Sequence, residues 1–386
     1  MTTRGEVQDG RQEATQQGAA MSWLGLWDCD GRYFDPAGLT PEGEHSCLLL
    51  REENALLARG SLVLEARLPD AGQPETLIRF DQSGDWPIRF VLTATPEGGI
   101  ELELAQYGGD VQRLAVTLPA AGRADKLRLT LSWDAPAFQG RLAVERLDGD
   151  RACITEITAP RPWRLVDLQA LLTQAPQSFI ATSVEYLALS ARCEPVGPAP
   201  GLALDTPMLT DQGPRPLSAL RRGDLLRCAS GALVPVLHVL RRELPARGSF
   251  APVRLRAPYL GLTQDLILAP YQRIALTGSE VEYQFGREAV LAPTAMLTGS
   301  RVAERDHPGG PLIRYGQVIL PGHEVPLAAG LGVASLFLGR LRRDRSALAA
   351  SIAAGIDRND LPEHAEPCYP VLRAHDAIVL AGQRLA

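Results

Sequence analysis

Several features that are common in proteins of this length are scarce here. Lys126 is the only lysine among the 39 basic residues of the 386-residue chain. We attribute the excess of arginine to the codon usage of a GC-rich genome, although many bidentate anion contacts would look the same. The net charge is −6, so no broad basic surface is available to neutralise phosphates. Nucleic acid is therefore not expected as a partner.

Cysteine pairs and metal-ligand spacings are also missing. The six cysteines include no C-x-x-C pair, so neither a zinc site nor a dense disulfide framework is predicted. His45, His307 and His364 occur singly in predicted loops and do not have the spacing of metal ligands. We expect most cysteines to be buried reduced thiols, and we expect no metal or other cofactor.

No apolar run is long enough to span a bilayer. Residues 1–20 are polar and lack an apolar core, so no Sec-type signal peptide is visible. Met21 is an alternative start to Met1. We expect a cytoplasmic protein or one exported by a leaderless route.

What the chain has instead is strict alternation of apolar and polar residues over its first half. Leu62, Leu64 and Ala66 point to one side of a predicted strand, and Glu65 and Arg67 point to the other. Period-two runs separated by Gly, Pro and Asp turns predict half-buried antiparallel strands. Many such strands with almost no helical periodicity favour a two-sheet sandwich. The same alternation recurs in residues 88–94, 100–104 and 127–133.

The alternation predicts an all-β chain, and the length of 386 residues predicts two domains. Residues 1–44 are assigned to an N-terminal tail and lead-in, and residues 45–194 to the sandwich. Three prolines and a glycine within seven residues predict an extended, poorly hydrogen-bonded linker over residues 195–200. The second domain covers residues 201–386, where predicted strands resume. Its one late helix is predicted from the spacing of Leu341, Leu348, Ile352 and Ile356.

Each domain resembles a known family. Leu129–Pro136 followed by Arg141–Glu145 resembles a laminin-G/concanavalin-like sandwich, which implies a jelly-roll of two antiparallel sheets. Leu202–Leu226 resembles the opening segment of the Hint (hedgehog/intein) self-processing domain in its bacterial variant. Strand, Gly turn, Leu-x-x-Leu and a closing Gly-Asp corner occur in the family's order. Further similar segments are Val290–Gly299, Tyr315–Val325 and Pro370–Ala377.

The Hint resemblance implies self-cleavage by an N-to-S acyl shift, in which a thiol attacks the preceding backbone carbonyl. The family places this nucleophile four residues before a Gly-Thr pair, which here is Asp205-Thr206. Counting back reaches Gly201, which has no side chain. Thr206 is a possible remnant of the family's site.

A second family motif supplies a Thr or Ser and a His that bond the scissile amide. Asp265–Arg273 matches its framing residues, but the hydroxyl position holds Ala269 and the histidine position holds Gln272. Glutamine can donate a hydrogen bond but cannot transfer a proton near neutral pH. Losses at three reactive positions predict an inactive site.

Two residues could still carry chemistry. His323 would be an acid or base near the final cleavage step, or else a hydrogen-bonded turn histidine beside Glu324. Cys193 lies eight residues before Gly201 and could serve as a rescue nucleophile, although the amide would remain unactivated. His238 is expected in the core, and His375 beside Asp376 is expected to be structural.

Three functions follow from these patterns. The preferred hypothesis is a cleavage-incompetent Hint domain that acts as scaffold for a sandwich binding a protein or carbohydrate ligand. The first alternative is surviving autocatalytic cleavage that releases the N-terminal domain. The second is a glycan-active sandwich with Glu101 and Glu103 as paired carboxylates, although alternating Glu and Leu is typical of any solvent-facing strand.

Overall fold

The computed structural model describes residues 22–41, 55–68, 72–96, 99–118, 126–147, 152–307, 309–373, 376 and 380. Within these residues the structure is mostly antiparallel β with a few short helices, which confirms the predicted all-β class. No helix in the described ranges is long and apolar enough to cross a membrane. The alternative starts Met1 and Met21, and the predictions for His45 and His375, lie outside the described residues.

The N-terminal half is a sandwich of two antiparallel sheets. The seven-stranded sheet has the order β11-β10-β9-β4-β14-β1-β2, and the five-stranded sheet has the order β13-β5-β6-β7-β8. In chain order the elements are β1 (Trp23–Asp28), β2 (Arg32–Phe34), β3 (Leu56–Leu57), β4 (Arg59–Arg67), β5 (Glu75–Gln82), β6 (Ile88–Ala94), β7 (Gly99–Gln106), β8 (Gln112–Thr117), β9 (Lys126–Asp134), β10 (Gln139–Arg146), β11 (Ala152–Thr158), β12 (Trp163–Arg164), α1 (Leu165–Leu172), β13 (Ser178–Ile180) and β14 (Val184–Ser190).

The apolar side chains predicted from alternation form the core between these sheets. Leu62 and Leu64 of β4 meet Phe90 and Leu92 of β6 in one buried cluster, which Trp163 also joins. The prediction of a two-sheet sandwich is confirmed. Helix α1 was not predicted, because its buried leucines resemble a short apolar run as much as a helix face.

The sandwich begins earlier than residue 45. Strand β1 pairs with β14, and β2 pairs with β1, so residues 23–34 belong to the seven-stranded sheet rather than to a lead-in. Trp23 and Phe34 are fully buried. The predicted boundary is wrong here because β1 carries apolar residues on both faces and shows no alternation.

The C-terminal half consists of short strands arranged in two larger sheets and a hairpin. One sheet has the order β20-β26-β15-β22-β21-β25, the second contains β19-β18-β16-β27-β28 with β17 beside β16, and β23 pairs with β24. The strands are β15 (Leu202–Ala203), β16 (Pro207–Thr210), β17 (Gly213–Pro216), β18 (Leu225–Arg227), β19 (Leu233–Pro235), β20 (His238–Pro245), β21 (Val253–Leu255), β22 (Leu266–Leu268), β23 (Arg273–Thr277), β24 (Ala289–Pro293), β25 (Ala303–Arg305), β26 (Leu312–Ile319), β27 (Leu327–Ala328) and β28 (Leu331–Gly332).

Helices are few and short in this half. Helix α2 covers Ser279–Phe285, and α3 covers Arg345–Ala350. The late helix is therefore present but shorter than the spacing from Leu341 to Ile356 predicts. Asp344 caps its N-terminus, because the Asp344 carboxylate accepts the Ala347 N–H at 2.9 Å. The helix ends before Ser351, whose backbone is extended.

The two halves pack directly against each other. The outer face of the seven-stranded sheet is covered by the C-terminal half, and one buried cluster contains Trp23, Val63 and Tyr186 together with Phe250 and Tyr315. Glu65 was predicted to face away from the core into solvent, but it is fully buried beneath the second domain. This expectation is wrong because alternation identifies two faces without showing what covers them.

The predicted linker is also more ordered than its composition suggests. The Val196 N–H donates to the Ala350 carbonyl, and the Gly197 N–H donates to a Glu145 carboxylate oxygen, each at 2.9 Å. The Glu194 carboxylate just before it is buried and pairs with Arg242 at 2.9 Å. The expectation of poor hydrogen bonding is therefore wrong, since this segment is bonded to both halves.

Candidate functional site

The three positions that match the reactive residues of a Hint domain lie together in the structure. The Ala269 N–H donates to the Gly201 carbonyl at 2.8 Å, because β15 and β22 are neighbours in one sheet. The Gln272 N–H then donates to the Ala269 carbonyl at 2.9 Å, which turns the chain back toward Gly201. Residues 71 positions apart in sequence are thus brought together.

Gly201 is closely enclosed by its neighbours. A β-carbon at this position would lie 2.7 Å from Gln272 Oε1, 3.0 Å from Gln272 Cβ and 3.4 Å from the Tyr271 ring. The first distance is shorter than real β-carbon contacts allow. The space that a nucleophilic side chain would need is therefore filled by the glutamine.

Gln272 is fixed by hydrogen bonds at both ends of its amide. Its Nε2 donates to the carbonyls of Arg273 at 2.8 Å and Ala334 at 3.0 Å, and its Oε1 accepts from Gln317 Nε2 at 2.7 Å. Both glutamines are buried. Because every donor and acceptor of the Gln272 amide is used, the side chain is held as a structural group.

Ala269 contributes a methyl group where the family has a hydroxyl, and it is fully buried in the cluster between the domains. A hydroxyl is nevertheless close by. Thr294 Oγ1 donates to the Ala269 carbonyl at 2.6 Å, and its backbone N–H donates to the Gln272 carbonyl at 2.9 Å. Thr294 thereby fixes the loop after β22. Local sequence patterns do not predict this role or that of Gln317, since each is a single polar residue in an apolar segment.

The carbonyl that corresponds to the scissile one is that of Pro200. It accepts a hydrogen bond from the Tyr271 hydroxyl at 2.7 Å. Burial raises the pKa of Tyr271, so the phenol remains neutral and donates. Sequence reasoning missed Tyr271, although it lies inside the Asp265–Arg273 motif and its position next to Gln272 is a usable signal.

His323 is buried and has one well-defined hydrogen bond. Its Nδ1 accepts the Cys368 N–H at 3.0 Å, which places the ring proton of the neutral histidine on Nε2. Nε2 is buried without a hydrogen-bond partner. Burial, followed by the charges of His364 and Arg273, lowers the pKa of His323 to about 4. An interaction with the Ser335 backbone opposes this shift, but it lacks the geometry of a hydrogen bond. The residue is neutral at pH 7.

Two other predicted residues are placed away from this cluster. Thr206 is buried in the turn after β15, where its backbone N–H donates to Ala203 at 3.1 Å and its hydroxyl has no partner. Cys193 Sγ donates to the Trp133 carbonyl at 3.4 Å, at the end of a sandwich strand. Its pKa is raised, chiefly by burial. A protonated thiol held against Trp133 is a poor nucleophile for the Pro200 carbonyl.

A cleft lies between the sandwich and the C-terminal half. Its volume is about 910 Å³. Its lining includes Arg128 and Glu145 of the sandwich, residues 197–199 of the connecting segment, and Gln272 and His323 of the C-terminal half. We call this space the interdomain cleft. It joins the Gly201 site to His323, and sequence reasoning did not predict it because it depends on how the two halves pack.

The carboxylates considered for glycan chemistry lie on β7 in the five-stranded sheet. Glu103 accepts from Arg89 Nε at 2.8 Å and from Arg113 Nε at 3.3 Å, and these bonds lower its pKa. Glu101 is exposed on the same face. A general acid needs a raised pKa, so Glu103 lacks the electrostatics of the general acid of a glycosidase.

Comparison with known proteins identifies the class of the C-terminal half. The Hint domain family matches residues 200–340, which contain the whole cluster around Gly201. The chain therefore carries a Hint domain, as its motifs predicted. No curated protein matched the sequence.

Several solved structures are similar in the sandwich region. The Ruminococcus gnavus IT-sialidase CBM40 is 18% identical over 44% of this chain and 74% of that chain, with a TM-score of 0.22. The leech intramolecular trans-sialidase is 13% identical over 46% of this chain and 28% of that chain, with a TM-score of 0.23. Sheep galectin-11 is 12% identical over 34% of this chain and 81% of that chain, with a TM-score of 0.18. Similarities at this level of identity and TM-score show nothing about the function of this chain.

Proposed function

We propose that this protein contains a Hint domain that does not cleave itself and that serves as a rigid scaffold for the sandwich. One observation carries the proposal. Gly201, Ala269 and Gln272 occupy the three reactive positions of one site, and none of them can act as nucleophile or proton donor.

The chemistry of self-cleavage requires groups that these three residues do not supply. An acyl shift needs a thiol or hydroxyl beside the Pro200 carbonyl and a group that protonates the departing nitrogen. Tyr271 donates to that carbonyl and could polarise it, but polarisation without a nucleophile leaves the amide intact. Gln272 adds no proton transfer, because both hydrogens of its Nε2 are bonded to carbonyls.

The interface between the halves supports the scaffold role. Glu65 of the sandwich accepts from Arg128 Nε at 3.1 Å and from the Ser249 N–H of the Hint domain at 2.7 Å. Arg128 lies over the Phe250 ring at 3.9 Å from the ring centre. A buried ion pair bonded to both domains fixes their orientation.

Further contacts extend the same interface. The Trp23 indole donates to the Glu243 carbonyl at 2.9 Å, and Arg247 pairs with Asp28. A domain destined for release would leave these apolar and charged groups exposed. Their burial instead favours a unit that stays together.

The sandwich then offers its open surface to a ligand. The outer face of the five-stranded sheet carries exposed residues such as Arg89 and Glu101, and Trp86 is exposed beside Tyr107 with ring centres 4.6 Å apart. Exposed aromatic and charged side chains suit a carbohydrate or protein ligand. With a net charge of −6, nucleic acid is not proposed as a partner.

Mass measurement tests the proposal. The full-length protein is incubated with dithiothreitol at neutral pH and its intact mass is followed. We expect the mass to stay at 41.6 kDa. Two fragments that meet near residue 200 would contradict the proposal. In that case Cys193→Ala decides whether Cys193 is the nucleophile, since unchanged cleavage would eliminate it.

A restored variant provides the matched positive control. The triple substitution Gly201→Cys, Ala269→Thr and Gln272→His returns the family's residues to the three positions and removes the Gln272 Oε1 that would lie 2.7 Å from a β-carbon at residue 201. We expect thiol-dependent fragments from the triple variant but not from Gly201→Cys alone. Cleavage by the single variant would show that the remaining groups still activate the amide.

The glycan-active alternative has its own test. If the sandwich were a glycosidase, Glu101→Gln and Glu103→Gln would each abolish a turnover found by substrate screening. We expect no turnover to be found, because Glu103 is held ionised by two guanidinium groups. Turnover that depends on both residues would overturn this expectation.

A further inference from the structure

The interdomain cleft has a strongly biased charge. One acidic side chain, Glu145, lines it. Six basic side chains line it as well: Lys126, Arg128, Arg146, Arg273, Arg305 and Arg373. The whole chain has a net charge of −6, so this concentration of positive charge opposes the average of the molecule.

Some of these charges are already neutralised and others are not. Lys126 pairs with Glu185, and Arg128 pairs with Glu65. Among the described residues, no carboxylate lies within ion-pair distance of Arg305 or Arg373, and both side chains are exposed. The cleft therefore retains positive charge for which the described part of the chain supplies no counter-ion.

His323 adds a directional donor to this charge. It lines the cleft, it is only 6% exposed, and its Nε2–H makes no hydrogen bond. An unsatisfied buried N–H is destabilising, so such groups in proteins usually have a partner that is a water, an ion or a ligand. An oxygen of an anion would satisfy it.

We propose that the interdomain cleft binds a small organic anion, whose carboxylate or phosphate group accepts a hydrogen bond from His323 and is neutralised by Arg305 and Arg373. The volume of about 910 Å³ lies in the range of about 300–1,000 Å³ that is typical of small-molecule sites. This binding site goes beyond the scaffold function and does not rest on it, because a chain that cleaved itself could still bind the anion.

Isothermal titration of the full-length protein with three matched probes tests the site. Glucose 6-phosphate and gluconate carry a phosphate and a carboxylate, and glucose is the neutral control. We expect at least one anion to bind with a Kd below about 1 mM, and glucose not to bind. The stronger of the two anions shows whether the site prefers phosphate or carboxylate. Absence of binding by both anions, or equal binding of glucose, would overturn the proposal.

Substitutions locate the binding in the cleft. The double variant Arg305→Gln/Arg373→Gln is expected to weaken anion binding by about tenfold or more, since charge-assisted contacts to the anion are lost. The matched control Arg256→Gln/Arg314→Gln removes two positive charges from residues that do not line the cleft. An equal weakening in the control would show that only the overall charge matters and would contradict a specific site.

The His323 ring gives a readout that does not depend on a substitution. Its ring-nitrogen signals are assigned by ¹⁵N NMR through their loss in His323→Gln. We expect the Nε2 signal of the unsubstituted protein to shift on addition of the binding anion and not on addition of glucose. An anion that binds without moving this signal would remove His323 from the site.

Discussion

The two sheets of the sandwich have different surroundings on their outer faces. In the five-stranded sheet, β6 alternates between the buried Ile88 and Phe90 and the exposed Arg89. In the seven-stranded sheet, every residue from Gly60 to Ala66 of β4 is buried, including Glu65. The five-stranded sheet has an exposed outer face, and we call it the open sheet. The outer face of the seven-stranded sheet is an interface with the Hint domain, and we call this sheet the covered sheet.

This difference shows where the two domains are joined. A Pro-rich segment suggests a tether, but the contacts that hold the halves together come from the covered sheet. Polar residues on that face, such as Glu65 and Arg128, pair with each other and bond to the Hint domain. Equivalent residues on the open sheet, such as Glu103 and Arg89, pair only in solvent.

Removing a charge from the covered sheet should have the largest effect. Arg128→Met leaves the Glu65 carboxylate buried without its cation, and we expect the free energy of unfolding to fall by about 3–5 kcal/mol. Denaturant titration measures it. The matched control Arg89→Met breaks an exposed pair on the open sheet and should have a much smaller effect. Equal losses for the two variants would break the distinction between the sheets.

A methyl group added at the interface should have the next largest effect. Gly248 has a φ of +56°, and a β-carbon there would contact Glu65 and lie 2.6 Å from the Tyr186 ring. We expect Gly248→Ala to lower the free energy of unfolding by about 2–4 kcal/mol, from backbone strain and overpacking together. Gly231→Ala is the control, because its φ is also positive but nothing lies within 4 Å. Thermal or denaturant unfolding that gives the same loss for both would contradict close packing at the interface.

The contrast between covered and open positions extends to histidines in the Hint domain. The pKa of His323 is lowered to about 4 in the folded protein, whereas the unfolded value is near 6.5. The unfolded state therefore binds more protons between these values. The buried, neutral His323 therefore contributes to the free energy of unfolding above about pH 6.5. This contribution is lost as the pH falls to about 4, and the loss has an upper limit of about 3 kcal/mol.

The test compares unfolding free energies at pH 7.5 and pH 4. We expect the loss on acidification to be smaller in His323→Gln than in the unsubstituted protein. His307→Gln, which changes an exposed histidine, serves as control and should behave like the unsubstituted chain. An unchanged pH dependence in His323→Gln would show that His323 is not held neutral by burial.

A change in salt concentration should have the smallest effect on stability, and it should distinguish exposed from buried ion pairs. The destabilisation caused by Arg89→Met should disappear in 1 M salt, where the Debye length is about 3 Å and exposed pairs are screened. The destabilisation caused by Arg128→Met should persist, because its pair with Glu65 is buried. Denaturation by urea at low and high salt measures both. Loss of the Arg128 effect in salt would mean that solvent reaches the covered face.

Much of the fold and of the Hint site could be predicted from local pattern. Period-two alternation identified the strands of the open sheet, since a half-buried strand repeats every two residues. The motif frames identified Gly201, Ala269 and Gln272, and the structure brings them together. Alternation failed at β1, where both faces are apolar because both are covered. Tyr271 was missed although it lies inside the Asp265–Arg273 motif. The roles of Thr294 and Gln317 could not be predicted, because they depend on contacts that only the folded chain makes.

The sequence by itself determined the strands, the Hint assignment and the absence of reactive side chains at three positions. These follow from residue type and spacing, which the chain fixes without folding. Only the tertiary structure decided that Glu65 is buried, that Gln272 fills the space beside Gly201 and that His323 lines a basic cleft. Each of these depends on which surfaces meet, and contacts between residues tens or hundreds of positions apart are set by the packing of whole sheets rather than by local pattern.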